Sequence, residues 1–228
     1  MHALILADGD APGRRDLDAA WPGWDDEIGL VIAADGGARH ADTLGVTLDA
    51  WVGDGDSIDP AALAALEARG VPLERSRADK DESDTELAVL AAIRRGVAGL
   101  VIVGALGGTR IDHSLANIGL LALPALARRP TILLDARSRI SLLRAPGPRG
   151  EPLGRTLTGR VGDIVSLLPV GRGVLGVTTA GLAYPLVDEP LPAGPARGLS
   201  NVRTVEDARV TLRGGLLLIV ESPATLAR

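Results

Sequence analysis

The chain has 228 residues, a formal net charge of −5 and 46% apolar residues, the composition of a soluble protein with one large domain or two modest ones. It has no cysteine and only three scattered histidines, which excludes disulfide frameworks and thiolate metal sites and leaves little from which to build a zinc site. No basic surplus or aromatic-basic patch points to nucleic acid, no apolar run is long enough to span a membrane, and the short apolar N-terminal run lacks the basic flank of a signal peptide, so a cytoplasmic location is expected.

Residues 3–7 read as a buried strand, followed by a polar loop rich in Asp, Pro and Trp. A second strand at 30–34 ends at Asp35-Gly36-Gly37, and a short helix is expected over 38–44. Residues 50–52 form a third strand before Gly53-Asp54-Gly55-Asp56-Ser57. Residues 60–69 read as a helix, with Pro60 at its first position and Gly70 as its stop, and 71–73 as a short strand. A helix over 87–95 follows the acidic run Asp79-Lys80-Asp81-Glu82-Ser83-Asp84. The strand at 100–103 runs into a glycine-rich loop, and then come a long helix over 114–126 and a strand over 131–134. Alternating strands and helices predict a mostly parallel sheet covered on both faces. Residues 146–153 are rich in Pro, Gly and Arg. Beyond them, short strands at 164–168, 174–178, 183–187, 208–212 and 216–220 predict an antiparallel sandwich. The expectation is an α/β domain over 1–129 followed by an all-β sandwich domain over 130–228.

The chemistry concentrates in residues 50–86. Two acidic loops so close together repel, and a fold tolerates that mainly when a cation neutralises them. Hard oxygen donors after a short strand suit Mg2+ held with a polyphosphate. In an extended segment, Asp54 and Asp56 would point the same way and ligate one ion, although an Asp-rich turn gives the same pattern. Ser83 and Glu86 fit a helix capping box, which leaves Lys80, Asp81 and Asp84 as functional candidates. Lys80 is the only lysine among 23 arginines, and it either pairs with the carboxylates or contacts phosphate oxygens. The glycine-rich loop 104–113 offers backbone N–H groups to phosphates near a helix start. By itself Asp112 reads as a helix cap, and the three tryptophans serve equally well as core or as ligand platforms.

Taken together and in this order, the motifs resemble the thiamine pyrophosphokinase family. The matching pieces are Asp35-Gly36-Gly37, residues 53–57, 80–84 and 104–117, then 162–169, 181–186 and Gly198-Leu199-Ser200-Asn201. The resemblance implies a nucleotide-binding α/β domain and a thiamine-binding β-sandwich, working as a homodimer with the active site at the subunit interface. It implies transfer of the pyrophosphoryl group of ATP to the hydroxyl of thiamine, giving thiamine diphosphate and AMP. Asp54, Asp56 and Asp84 match the family's Mg2+ ligands, with Asp81 and Asp112 as further catalytic carboxylates, either of which could accept the alcohol proton. The nucleotide site would be lined by Asp35, Gly36, Gly37, Ser57, Lys80, Ser83, Gly107, Gly108, Arg110, His113 and Asn117. Ser200 and Asn201 match the segment that contacts thiamine. Three departures stand out: Gly55 replaces an aromatic residue, Ser83 replaces threonine, and Thr109 is inserted before Arg110. The rival readings are a hydroxymethylpterin pyrophosphokinase, an aspartyl-phosphate phosphatase with Asp54 as nucleophile, and a non-catalytic nucleotide or thiamine sensor.

Overall fold

The computed structural model describes residues 1–147 and 149–224; Pro148, inside the Pro/Gly/Arg-rich stretch, and residues 225–228 lie outside the described residues. The chain divides into two compact units, Met1–Ala136 and Arg137–Arg228.

The first unit is built on six parallel strands, β1 (His2–Leu6), β2 (Ile28–Ala34), β3 (Ala50–Gly53), β4 (Leu73–Arg75), β5 (Gly99–Val103) and β6 (Thr131–Leu134), in the order β4-β3-β2-β1-β5-β6. The central strands are buried along nearly their whole length, as expected where helices cover both faces. The helices are α1 (Arg14–Ala20), α2 (His40–Leu44), α3 (Pro60–Ala68), α4 (Asp84–Arg94) and α5 (Ile111–Leu120). Helix α4 buries Thr85, Ala88, Val89, Ala91 and Ala92, a stripe at helical spacing, and packs across β1, β2 and β3. Trp21, Trp24 and Trp51 all belong to the core, so none is a ligand platform.

The short strand expected over 71–73 lies at Leu73–Arg75, and four other elements of this unit differ from expectation. The polar loop after β1 contains α1, which buries only Leu17 and so carries almost no periodic signal. Helix α4 starts three residues early because the Ser83 hydroxyl caps it, accepting the Glu86 N–H at 3.1 Å. The helix expected over 114–126 stops at Leu120, and Pro124, which has no N–H to continue the ladder, opens a separate 3-10 turn. Strand β6 pairs in parallel with β5, so the α/β unit runs to Ala136 rather than ending at residue 129.

The second unit is antiparallel: β7 (Arg139–Ala145), β8 (Leu153–Thr158), β9 (Ile164–Ala180), β12 (Asp207–Leu212) and β13 (Gly214–Ser222) in the order β7-β13-β9-β12-β8, with β10 (Glu189–Pro192) and β11 (Asn201–Val202) also on β9. Strand β9 serves both layers. Its first part pairs with β13 and its last residues with β12, the bend falling where Gly171 and Gly173 take positive φ. Between the layers lie Leu143, Val165, Leu167, Leu217 and Ile219 against Leu157, Val177, Val210 and Leu212. The two strands expected at 164–168 and 174–178 are therefore one, and 183–187 forms no strand beyond the nearby Leu182–Arg203 bridge. A buried ion network braces this unit: Glu221 accepts from Arg203 at 2.7 Å and from Arg139 at 2.7 and 2.9 Å.

Candidate active site

Parallel sheets bind ligands beyond the carboxyl ends of their strands, where strand order reverses. Here the reversal lies between β1 and β5. After β1 the chain crosses to the glycine-rich loop after β5, Gly9 N–H donating to Gly104 O (2.7 Å) and Asp10 N–H to Leu106 O (2.9 Å). The Asp10 carboxylate accepts the Gly108 N–H at 2.8 Å. The approach is too close for a side chain, since a Cβ on Gly9 would lie 2.5 Å from two carbonyl oxygens. From the other side, Ser114 and Asn117 of α5 donate to the carbonyls of Gly107 (3.3 Å) and Ala105 (2.8 Å). The loop is thus held at both edges.

Three carboxylates converge beside it, each positioned from outside the cluster. Asp35 follows β2 with φ at 43°. The Trp51 indole donates to its carbonyl (3.0 Å), and the Ser57 N–H donates to its Oδ2 (3.1 Å). Asp54 follows β3, where Gly53 is required because a Cβ would come within 2.9 Å of the Asp35 Cβ. Asp84 is the first residue of α4. One oxygen from each of Asp35, Asp54 and Asp84 lies within 4.8 Å of the other two. Lys80 joins them, its Nζ donating to Asp84 (2.7 Å), Asp54 (3.0 Å) and the Ser76 hydroxyl (3.0 Å). The surrounding cleft has a volume of about 500 Å³.

The electrostatics follow from burial and from Lys80. Desolvation pushes the Asp35 carboxyl up to about 6; the Ser57 N–H opposes this, and Asp56 and Asp84 reinforce it. Hydrogen bonding to Lys80 holds Asp54 below its usual range. Burial works against the Lys80 ammonium, but its bonds to Asp84 and Asp54 outweigh that and raise its pKa. The Oδ1 atom of Asp35 is buried without a hydrogen-bond partner. Hard oxygens around an unsatisfied carboxylate are the donor set that suits a small divalent cation.

Family models match the chain in two pieces: thiamin pyrophosphokinase, catalytic domain, over residues 24–133, and thiamin pyrophosphokinase, vitamin B1 binding domain, over residues 156–217. The chain belongs to the thiamine pyrophosphokinase family. It is 27% identical over 213 residues to the thiamine pyrophosphokinase of Bacillus subtilis (strain 168), covering 93% of this chain and 96% of the relative. It is also 27% identical over 214 residues to thiamine pyrophosphokinase 1 of Oryza sativa subsp. japonica, covering 84% and 78%. The crystal structure of thiamine pyrophosphokinase from Bacillus subtilis superposes with a TM-score of 0.80 at 25% identity, over 97% of this chain and 99% of that one.

Seen as a thiamine pyrophosphokinase-family site, most of the expected residues do meet. Asp35, Asp54, Asp56, Ser57, Lys80, Ser83 and Asp84 line the cleft from one side, and Gly107, Gly108, Arg110, His113 and Asn117 from the other. Five expectations change. Asp56 is not in the three-carboxylate group; Gly55, at φ 87°, turns the chain, and the Asp56 carboxylate accepts the Ser57 hydroxyl at 2.8 Å. The alternation of an extended strand does not apply past Gly53, and the third carboxylate of the group is Asp35, with Asp56 beside it and interacting with both Asp35 and Asp54. Gly36 and Gly37 lie outside the cleft lining and are packing glycines, a Cβ on Gly37 falling 2.1 Å from Leu6 O. Asp81 and Asp112 are exposed and also outside the lining. Asp112 does not cap α5 but pairs with Arg110, which holds it at about 2. In the second unit Ser200 is exposed. The Asn201 amide, however, is occupied, accepting from Tyr184 N–H (2.9 Å) and donating to Tyr184 O (2.7 Å), so it braces a loop.

Sequence reasoning missed Asp8, which lines the cleft, Asp10, which pins the glycine-rich loop, and Ser76, which accepts from Lys80. For the first two the signal was present, because Asp-Gly-Asp follows the end of the first strand just as Asp-Gly-Asp follows the third.

Proposed function

We propose that this chain transfers the pyrophosphoryl group of ATP to the hydroxyl of thiamine, giving thiamine diphosphate and AMP, with Mg2+ held by Asp35, Asp54 and Asp84. The observation that carries the reading is the meeting of these three carboxylates with Lys80 at the reversal of strand order. Phosphoryl-group transfer asks for positioning and charge neutralisation rather than covalent catalysis by the protein, and this cleft supplies both. When bound, the metal supplies Lewis-acid stabilisation of charge on the phosphate oxygens. The chain's own residues do the rest: the loop pinned by Asp10, Ser114 and Asn117 fixes the floor under the nucleotide. Lys80 and Arg110 bring positive charge to the polyphosphate. Asp112 pairs with Arg110, so an Arg110 that turns to the polyphosphate frees the Asp112 carboxylate.

We place the thiamine site with Ser200 and the apolar side chains near it, Leu199, Tyr184 and Val187, which are exposed. The enzyme works as a cytoplasmic homodimer in which the second unit of one subunit completes the site of the other. Exposed apolar side chains on a binding unit support an interface, and ATP as co-substrate supports the location. No helix among the described residues is long and apolar enough to cross a membrane.

The test is AMP release from ATP and Mg2+ with and without thiamine, with detection of thiamine diphosphate. Thiamine-dependent AMP with matching product is expected. ADP or inorganic phosphate in its place would return the kinase or phosphatase alternatives, and turnover with a hydroxymethylpterin alone would assign the acceptor to the pterin family.

A further inference from the structure

Lys80 occupies an unusual place for a phosphate-binding lysine. Its three N–H donors are all used, on Asp54, Asp84 and Ser76, so the ammonium is saturated by the protein itself and has none left for a ligand. Its side chain is 13% exposed, and two of its three partners are members of the carboxylate group proposed to hold the metal. We infer that Lys80 is a built-in counter-ion: it fills the cation position between Asp54 and Asp84 and leaves it when a divalent ion enters. This inference rests on the metal reading proposed above.

Charge and geometry both favour the exchange. Nζ sits 2.7 and 3.0 Å from one oxygen each of Asp84 and Asp54, so a divalent ion held in common by the two carboxylates would compete with it for those oxygens. An ammonium that stayed would face the ion across a few ångströms with little water between them, where like charges repel strongly. The backbone allows the move. Among the described residues, no backbone–backbone hydrogen bond holds residues 77–82, the nearest being Ser76 N–H to Gly53 O before them and Leu87 N–H to Ser83 O after them. Swinging Lys80 out therefore costs its three side-chain bonds and no backbone ladder.

The exchange has a consequence for loading. In the protein alone the cation must compete with a tethered ammonium, so its affinity is low. A polyphosphate arriving with the cation gives the displaced ammonium a new anionic partner, and the two ligands then bind as a cooperative pair. Lys80 thereby couples metal binding to nucleotide binding, which a lysine that merely neutralised a surface would not do.

The chain's single lysine makes the test direct. Mn2+ binding without nucleotide is measured by electron paramagnetic resonance for the wild type, Lys80→Met and Lys80→Arg. The expected result is binding at least about tenfold tighter in Lys80→Met, and wild-type affinity in Lys80→Arg. In parallel, protein labelled with [13Cε]-lysine gives one lysine resonance, which should shift as Mg2+ is added to the wild type; this arm needs no variant and decides the matter if Lys80→Met fails to fold. Equal or weaker Mn2+ binding in folded Lys80→Met, or a lysine resonance that stays still at Mg2+ concentrations that expel Mn2+, would overturn the inference while leaving the metal site standing. Absence of Mn2+ uptake in both proteins would overturn the metal reading along with it.

Discussion

Asp35→Asn should stabilise the metal-free protein, and the gain should depend on pH. The Asp35 carboxyl moves from an ordinary 3.8 to about 6 in the fold. A raised carboxyl pKa means that the folded state holds its proton more tightly than the unfolded chain does. Below about pH 4 both states are protonated and no penalty exists. Between about pH 4 and 6 the unfolded chain has released its proton while the fold still holds one, so stability falls as pH rises, by up to about 1.4 kcal/mol per pH unit. Above about pH 7 it levels off roughly 3 kcal/mol lower. Asparagine keeps an oxygen for the Ser57 N–H and brings an amide donor toward the neighbouring carboxylates. The assay is urea unfolding in EDTA from pH 4 to 8, followed by tryptophan fluorescence. All three tryptophans lie in the first unit, so the signal reports the unit that carries the site. The difference between Asp35→Asn and wild type should grow from its pH 4 baseline by about 3 kcal/mol. Parallel curves, or a variant that loses ground as pH rises, would refute the argument that Asp35 is buried at electrostatic cost.

Three other outcomes are expected. Asp54→Asn and Asp84→Asn should abolish Mn2+ binding, whereas Asp56→Asn should keep it within a few-fold; electron paramagnetic resonance titration of the three variants would check the choice of Asp35 over Asp56 as the third ligand. Asp10→Ala removes a charged partner of the Gly108 N–H, a bond worth about 1.5–3 kcal/mol, and should raise the KM for ATP about tenfold or more with a smaller change in kcat, as read from steady-state kinetics. Arg203→Ala leaves buried Glu221 with Arg139 as its one remaining partner in the network and should destabilise the second unit by about 3–5 kcal/mol; hydrogen exchange read by mass spectrometry would show faster exchange in residues 137–224 and little change in the first unit.

The parallel half of the fold was legible because strands buried on both faces read as unbroken apolar runs, and each such run was found. The antiparallel half was harder for a physical reason. In β7 the buried positions are interrupted by partly exposed ones, two of them arginines, and in β8 exposed Gly and Thr alternate with Leu153, Arg155 and Leu157, so neither stands out by hydropathy. In β9 the glycines at 171 and 173 look like turn residues, and locally they do take positive φ, yet hydrogen bonds to β13 and β12 carry the strand through the bend. A local signal cannot tell a turn that ends a strand from a bend that lets one strand serve two sheets.

At the site, which carboxylates exist was legible and which of them meet was not. Asp-Gly-Gly after β2 has the sequence of an ordinary turn. It becomes a metal-site candidate only because Trp51, sixteen residues away, donates to the Asp35 carbonyl and Gly53 leaves room for the Asp35 side chain. Asp56 had the better sequence claim, but the positive φ of Gly55 turns the chain and sets its carboxylate beside the group of three. What unites the three that do meet is independence: Asp35 is held by Trp51 and Ser57, Asp54 by the end of β3, and Asp84 by a helix start capped at Ser83. None of these supports involves another member of the cluster, so the carboxylates cannot relax apart when no divalent ion is present. The repulsion then has to be met where it stands, by Lys80 on Asp54 and Asp84 and by the raised pKa of Asp35. The rigid supports that pre-organise the site for a cation are also the reason that it needs a substitute for one.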